Sequence, residues 1–141
     1  MKSADRPGLR RWALLPAAVL VLSGLAAGCS SSKPAYCTDA DQLKTSVQDL
    51  GNVNINVHDL SSVNTAVSKV QADATAFASD AKSAYPSQTT ALKTSLSSLE
   101  TAVKSAMGQP SVTTVAAVVS SVTQVKTAAG NVQTAVKGKC Q

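Results

Sequence analysis

Cysteines at 29, 37 and 140, one histidine at 58, and carboxylates scattered from Asp5 to Glu100 are the side chains that could do chemistry here. His58 stands beside Asp59, and a His–Asp pair becomes a catalytic dyad only where a nucleophile converges on it. The many serines have no distinguishing context, and none sits in a glycine-flanked elbow. Asp39, Asp41 and Asp49 lack the loop glycine of a calcium site, and a lone histidine does not build a zinc site. Pairing His58 with Met107 around haem would join two single residues near helix ends. The expectation is no catalytic residue, no cofactor and no metal. His58 reads as solvent-exposed beside a helix start, and Asp39 and Asp41 as acids at another helix start. That leaves the cysteines.

The composition around them is uneven. Residues 1–11 carry Lys2, Arg6, Arg10 and Arg11 against Asp5, and Trp12–Ala27 then runs without a charge to Gly28-Cys29. A basic start, a short apolar core and a small-residue exit are the parts of a secretory signal peptide. The run is short for a membrane span, which needs about 20 residues, and Pro16 interrupts it. It reads as a removed signal, not a retained anchor helix. Removal of residues 1–28 lowers the net charge from +5 to +2 and takes away every arginine and the only tryptophan. Tyr36, Phe77 and Tyr85 are then the only aromatics. Nucleic-acid binding calls for clustered cations and stacking rings, so that class is excluded.

Leu25-Ala26-Ala27-Gly28-Cys29 resembles the lipobox of bacterial lipoproteins, in which small or aliphatic residues lead to Gly or Ala and then Cys. The position three before the cysteine is Ala26, where leucine is commonest in that family, with Leu25 one further back. The resemblance implies that lipoprotein-processing enzymes attach diacylglycerol to the Cys29 thiol and cut between Gly28 and Cys29. Two acyl chains anchor stably where one is marginal. Residues 30–35, Ser-Ser-Ser-Lys-Pro-Ala, read as a flexible tether spanning at most about 20 Å. The whole chain, with YCTDADQLKTSVQDL near its start and a cysteine near its end, is similar in composition to small secreted lipoproteins of actinobacteria.

With Cys29 taken by lipid, as the resemblance implies, Cys37 and Cys140 remain in an oxidising compartment. An intramolecular bridge between them is expected; free thiols or a bridge between two chains are the alternatives. Closing a loop of about 100 residues contributes at most about 4.7 kcal/mol in the chain-entropy model. The bridge would require both ends of the domain to meet.

Four helices must supply that geometry. Thr38 reads as the cap of a first, short helix with Leu43, Val47 and Leu50 on one stripe and Gly51-Asn52 as its stop. Val53–Val57 alternates with period two but has no partner strand, so it reads as an extended connector tucked under the helices. Leu60, Val63, Val67, Val70, Ala74, Phe77, Ala81 and Ala84 step by three and four in a heptad seam. A third helix from Pro86 to Met107 carries Leu92, Leu96, Leu99, Val103 and Ala106, with Glu100 and Lys104 an i,i+4 pair and Gly108 as its cap. A fourth, from Pro110 to Val136, is rich enough in valine to be a strand. Its stripe of Val115, Val118, Val122, Val125, Ala129, Val132 and Val136 steps as a helix does, and periodicity decides.

The sequence thus predicts an all-α, up-and-down antiparallel bundle of one short and three long helices, its ends tied by a disulfide. Residues 1–28 are signal, 29–36 an anchored tether and 37–141 the bundle, on the outer face of the cytoplasmic membrane. The expected role is a non-catalytic structural or interaction module with an envelope protein as partner. The alternative is a carrier or sensor of an apolar ligand, suggested by the wide apolar arc of Val112, Val115, Ala116, Val118, Val119 and Val122.

Overall fold

Residues 32–141 are described by a computed structural model, and every regular element among them is helical: α1 (Ala35–Asn52), α2 (Leu60–Ala81), α3 (Pro86–Gly108) and α4 (Val112–Cys140). The period-two stretch forms no strand. It crosses between α1 and α2 with Val53 and Ile55 partly buried against the core. No helix among the described residues is long and apolar enough to cross a membrane.

The seams with spacing three and four become the core. In α2, Leu60, Val63, Val67, Val70, Ala74, Phe77 and Ala81 are all buried, and Phe77 is fully so. Ala84 is exposed instead, because α2 stops at Ala81, whose carbonyl accepts the N–H groups of both Ala84 and Tyr85. Pro86 follows, and the residue before a proline avoids helical angles. The valine-rich segment is helical throughout: Val118, Val122, Val125, Ala129, Val132 and Val136 are buried and Val115 partly so. Burying one continuous stripe outweighs the small strand preference of each valine.

Boundaries of the other helices differ from the sequence reading as well. Helix α1 begins at Ala35, so Thr38 lies inside it; Pro34 is the cap, and its carbonyl accepts the Cys37 N–H at 2.9 Å. With 18 residues α1 is little shorter than α2 at 22, and Ala35 and Tyr36 of the expected tether are helical. Helix α3 includes Gly108, and Gln109 is the cap that follows it. Helix α4 starts after Ser111, where Ser111 Oγ accepts the Thr114 N–H and Thr114 Oγ1 accepts the Ser111 N–H, and runs on to Cys140. The wide apolar arc is split: Val118 and Val122 belong to the core, and Val115 is partly buried against it. Val112, Ala116 and Val119 face solvent, Val112 with 83% of its surface exposed.

Each helix has two neighbours. Helix α1 packs on α2 and α4, and α3 packs on α2 and α4, with no close approach between α1 and α3 or between α2 and α4 among the described residues. The two helix pairs are written in one repeated pattern. Tyr36–Leu50 reads YCTDADQLKTSVQDL and Tyr85–Leu99 reads YPSQTTALKTSLSSL, which aligns Tyr36 with Tyr85, Leu43-Lys44-Thr45-Ser46 with Leu92-Lys93-Thr94-Ser95, and Leu50 with Leu99. The seams of α2 and α4 share their spacing from Leu60 and Val115 to Ala81 and Val136. The local structure repeats too. Ser46 and Ser95 are both buried and donate to the carbonyls of Leu43 and Leu92 at 3.1 and 2.9 Å.

Leu43 and Leu92 are therefore equivalent and fully buried. Leu43→Ala and Leu92→Ala should each lose about 2–5 kcal/mol in denaturant unfolding, and by similar amounts. A near-neutral effect at either would contradict the shared core role.

Candidate functional site

The first candidate is the end of the domain where α1 begins and α4 finishes. Cys37 and Cys140 are bonded there, with Cα atoms 5.5 Å apart and 103 residues between them in sequence. The buried Cys37 is held by α1, and Cys140 closes the last turn of α4. Further along, the Gln133 side-chain amide donates to the Ala40 carbonyl, a second tie between the same helices. Tyr36, in the first turn of α1, and Tyr85, the residue before α3, meet edge to face at 5.4 Å, a contact of long side chains and not of the helix backbones. Tyr36, and after it burial, pushes the Tyr85 phenol above its ordinary value.

Asp39 belongs to this region and corrects its expected role. It is not in the first turn of α1, so it does not serve the helix dipole, and neither does Asp41. Desolvation, followed by the nearby Asp80 and Asp73 carboxylates, pushes the Asp39 carboxyl above its ordinary value. A carboxyl that holds its proton more tightly when folded favours folding at acid pH, and that contribution fades as pH rises through its folded value.

The other sequence candidates disperse. His58 is exposed in the connector, its N–H donating to Asn56 Oδ1 at 2.8 Å. Asp59 caps α2: it accepts from the Ser62 N–H at 3.3 Å and the Ser62 hydroxyl at 2.7 Å, and these bonds hold its carboxyl below the ordinary range. A carboxylate committed to a cap does not orient a neighbouring imidazole. Met107 is about half exposed on the surface of α3. No group of three metal-ligating side chains occurs among the described residues. Gly28 and Cys29 lie outside the described residues.

The pockets formed by the described residues are open grooves between neighbouring helices. One of about 210 Å³ lies between α1 and α4, with Val47 and Ala129 at its floor and Lys44 and Lys126 beside it. Another of about 320 Å³ lies between α2 and α3, lined by Gln71, Thr75, Lys93, Leu96, Ser97 and Glu100. There Glu100 accepts from the Gln71 amide at 3.2 Å and pairs with Lys104, as the i,i+4 spacing predicted, and Lys104 holds its carboxyl below the ordinary range. Sequence reasoning missed both grooves. The signal that could have found them was the LKTS repeat, which sets corresponding side chains on α1 and α3. The chain matches no family model, no curated protein and no solved structure.

Two outcomes follow. Replacing Cys37 and Cys140 together by serine should remove up to about 4.7 kcal/mol of stability, read by denaturant unfolding with and without reductant. Equal midpoints for oxidised, reduced and double-serine protein would contradict this. Asp39→Asn should raise the melting temperature at pH 7 by up to about 4 °C, and the gain should vanish below about pH 3, where both forms are neutral. A lower melting temperature at pH 7 would show that the Asp39 charge is favourably placed.

Proposed function

We propose that this chain is a lipid-anchored, non-catalytic interaction module of a bacterial cell envelope. In this reading diacylglyceryl-Cys29 holds it at the outer face of the cytoplasmic membrane, processing enzymes having removed residues 1–28, and its helical surface meets another envelope protein. The observation that carries the reading is the Cys37–Cys140 bridge. A bridge of this kind fits an exported chain. It also accounts for two of three cysteines and leaves Cys29, in its lipobox-like setting, for the lipid.

The finer architecture in this reading is up-and-down and antiparallel. Three pairings support it: Cys37 with Cys140, Ala40 with Gln133, and Gly51 beside Lys126, so that numbers rise along α1 as they fall along α4. The connections, from Asn52 to Leu60, Ala81 to Pro86 and Gly108 to Val112, are short enough to favour antiparallel neighbours. The tether then leaves from the closed end and presents the opposite end away from the bilayer. The apolar-ligand carrier has less support. Its motive was the arc on α4, and half of that arc faces water.

Cys29→Ala should abolish incorporation of labelled fatty acid into the protein and leave residues 1–28 attached, read by mass, while the Cys37–Cys140 bridge persists. Fatty-acid label on the variant, or none on the unaltered protein, would sink the anchor. Cross-linking of the anchored protein on intact cells should give a discrete adduct with another envelope protein, and its absence would sink the interaction reading.

A further inference from the structure

The bridge joins Cys37 to Cys140 across 103 residues and passes over Cys29, which stands eight residues before Cys37 in the sequence. The entropy cost of closing a flexible loop grows with its length, and these two spans give the short Cys29–Cys37 loop an advantage of about 45-fold. A signal at the N-terminus also brings Cys29 and Cys37 to the oxidising side before Cys140. Both effects favour the wrong pair for as long as Cys29 keeps its thiol.

The fold does not forbid that pair. Two residues eight apart on one helix lie about 12 Å apart along its axis, beyond the Cα separation of about 7 Å that a disulfide allows. Helix α1 imposes no such spacing. Pro34 is its cap, Lys33 lies outside it, and Cys37 stands in its first turn. Burial protects Cys37 only late. The groove beside it is walled by Gln133, Val136, Lys137 and Cys140, all of α4, the last helix to be made. Before α4 docks, that cover is absent.

We propose that diacylglyceryl transfer to Cys29 protects a thiol as well as anchoring the chain: it removes the competitor and so directs Cys37 to Cys140. This deepens the lipid-anchor reading and rests on it. In the transfer, the Cys29 sulfur displaces the phosphorylated headgroup of a donor phospholipid, its proton goes to solvent, and the new S–C bond is a thioether. A thioether has no thiolate and takes no part in disulfide exchange. Without the transfer, the Cys37 thiolate attacks the disulfide of an exported thiol oxidase and releases one thiolate. The Cys29 thiolate then attacks the Cys37 sulfur of that mixed disulfide and releases the second. The oxidase gains two electrons, Cys29–Cys37 is formed, and Cys140 is left as a free thiol.

The test expresses the full chain in bacteria with and without depletion of the enzyme that transfers diacylglycerol. An acid quench followed by maleimide labels free thiols, and peptide mass without reduction maps the links. Cys140 should be labelled in about tenfold more of the unaltered chains from depleted cells than from undepleted ones. Those labelled chains should carry a Cys29–Cys37 link. Cys29→Ala in depleted cells should return Cys140 to its bridge with Cys37. That variant lacks lipid and keeps residues 1–28, as the unaltered chain in depleted cells does, and differs from it in the thiol alone.

Equal labelling of Cys140 with and without the enzyme would overturn the proposal and leave the anchor standing. Cys140 left free in the Cys29→Ala variant would overturn it as well, because absence of lipid and not presence of the thiol would then decide the pairing. An unaltered chain without lipid in undepleted cells would take the anchor and the proposal together.

Discussion

The covalent tie between Cys37 and Cys140 is the constraint on which the rest depends. It joins the first turn of α1 to the last turn of α4, so the chain closes on itself after 103 residues. Without it, α1 and α4 would be held by the Gln133–Ala40 bond and by side-chain packing alone. Packing has little reserve here. The core is Leu, Val and Ala with Phe77 as its one large ring, so each buried side chain removes modest apolar area. Stability of a domain this size is a small difference between large terms, and restricting the unfolded chain acts directly on the opposing one.

Small core residues also shape what the surface can do. Short side chains let helices approach closely, and the described core leaves open grooves at the helix boundaries as its concave features. Recognition then falls to what rims those grooves. The repeat gives the two sides a common plan of Lys followed by Val or Leu, while Gly51 against Glu100, Lys126 against Gln71 and Gly130 against Thr75 break the correspondence.

Much of the fold was legible in the sequence because it depends on periodicity. Every seam residue of α2 except Ala84 is buried, and the valines of α4 follow their helical spacing against their strand preference. The bridge was legible from cysteine count and compartment, given the lipobox resemblance of Leu25–Cys29. Boundaries were less so. Thr38 had the chemistry of a cap, yet Pro34 starts α1 earlier, because Tyr36 and Cys37 have burial partners that a local motif does not reveal. Asp39 looked like a dipole acid, and only the fold brings Asp80 and Asp73 to it. The exposure of Val112, Ala116 and Val119 was not legible either, since hydrophobicity alone does not say which arc of a helix its neighbours cover. The LKTS repeat was in plain view, but its meaning for the grooves needed the contacts of Gln71 with Glu100 and Lys126 with Gly51.

The account stands or falls on the three cysteines having two fates, and intact mass of the membrane-extracted protein reads both at once. A mass of residues 29–141 plus a diacylglyceryl group, rising by about two protons on reduction, is the predicted result. A mass without lipid, or one that reduction leaves unchanged, would contradict it.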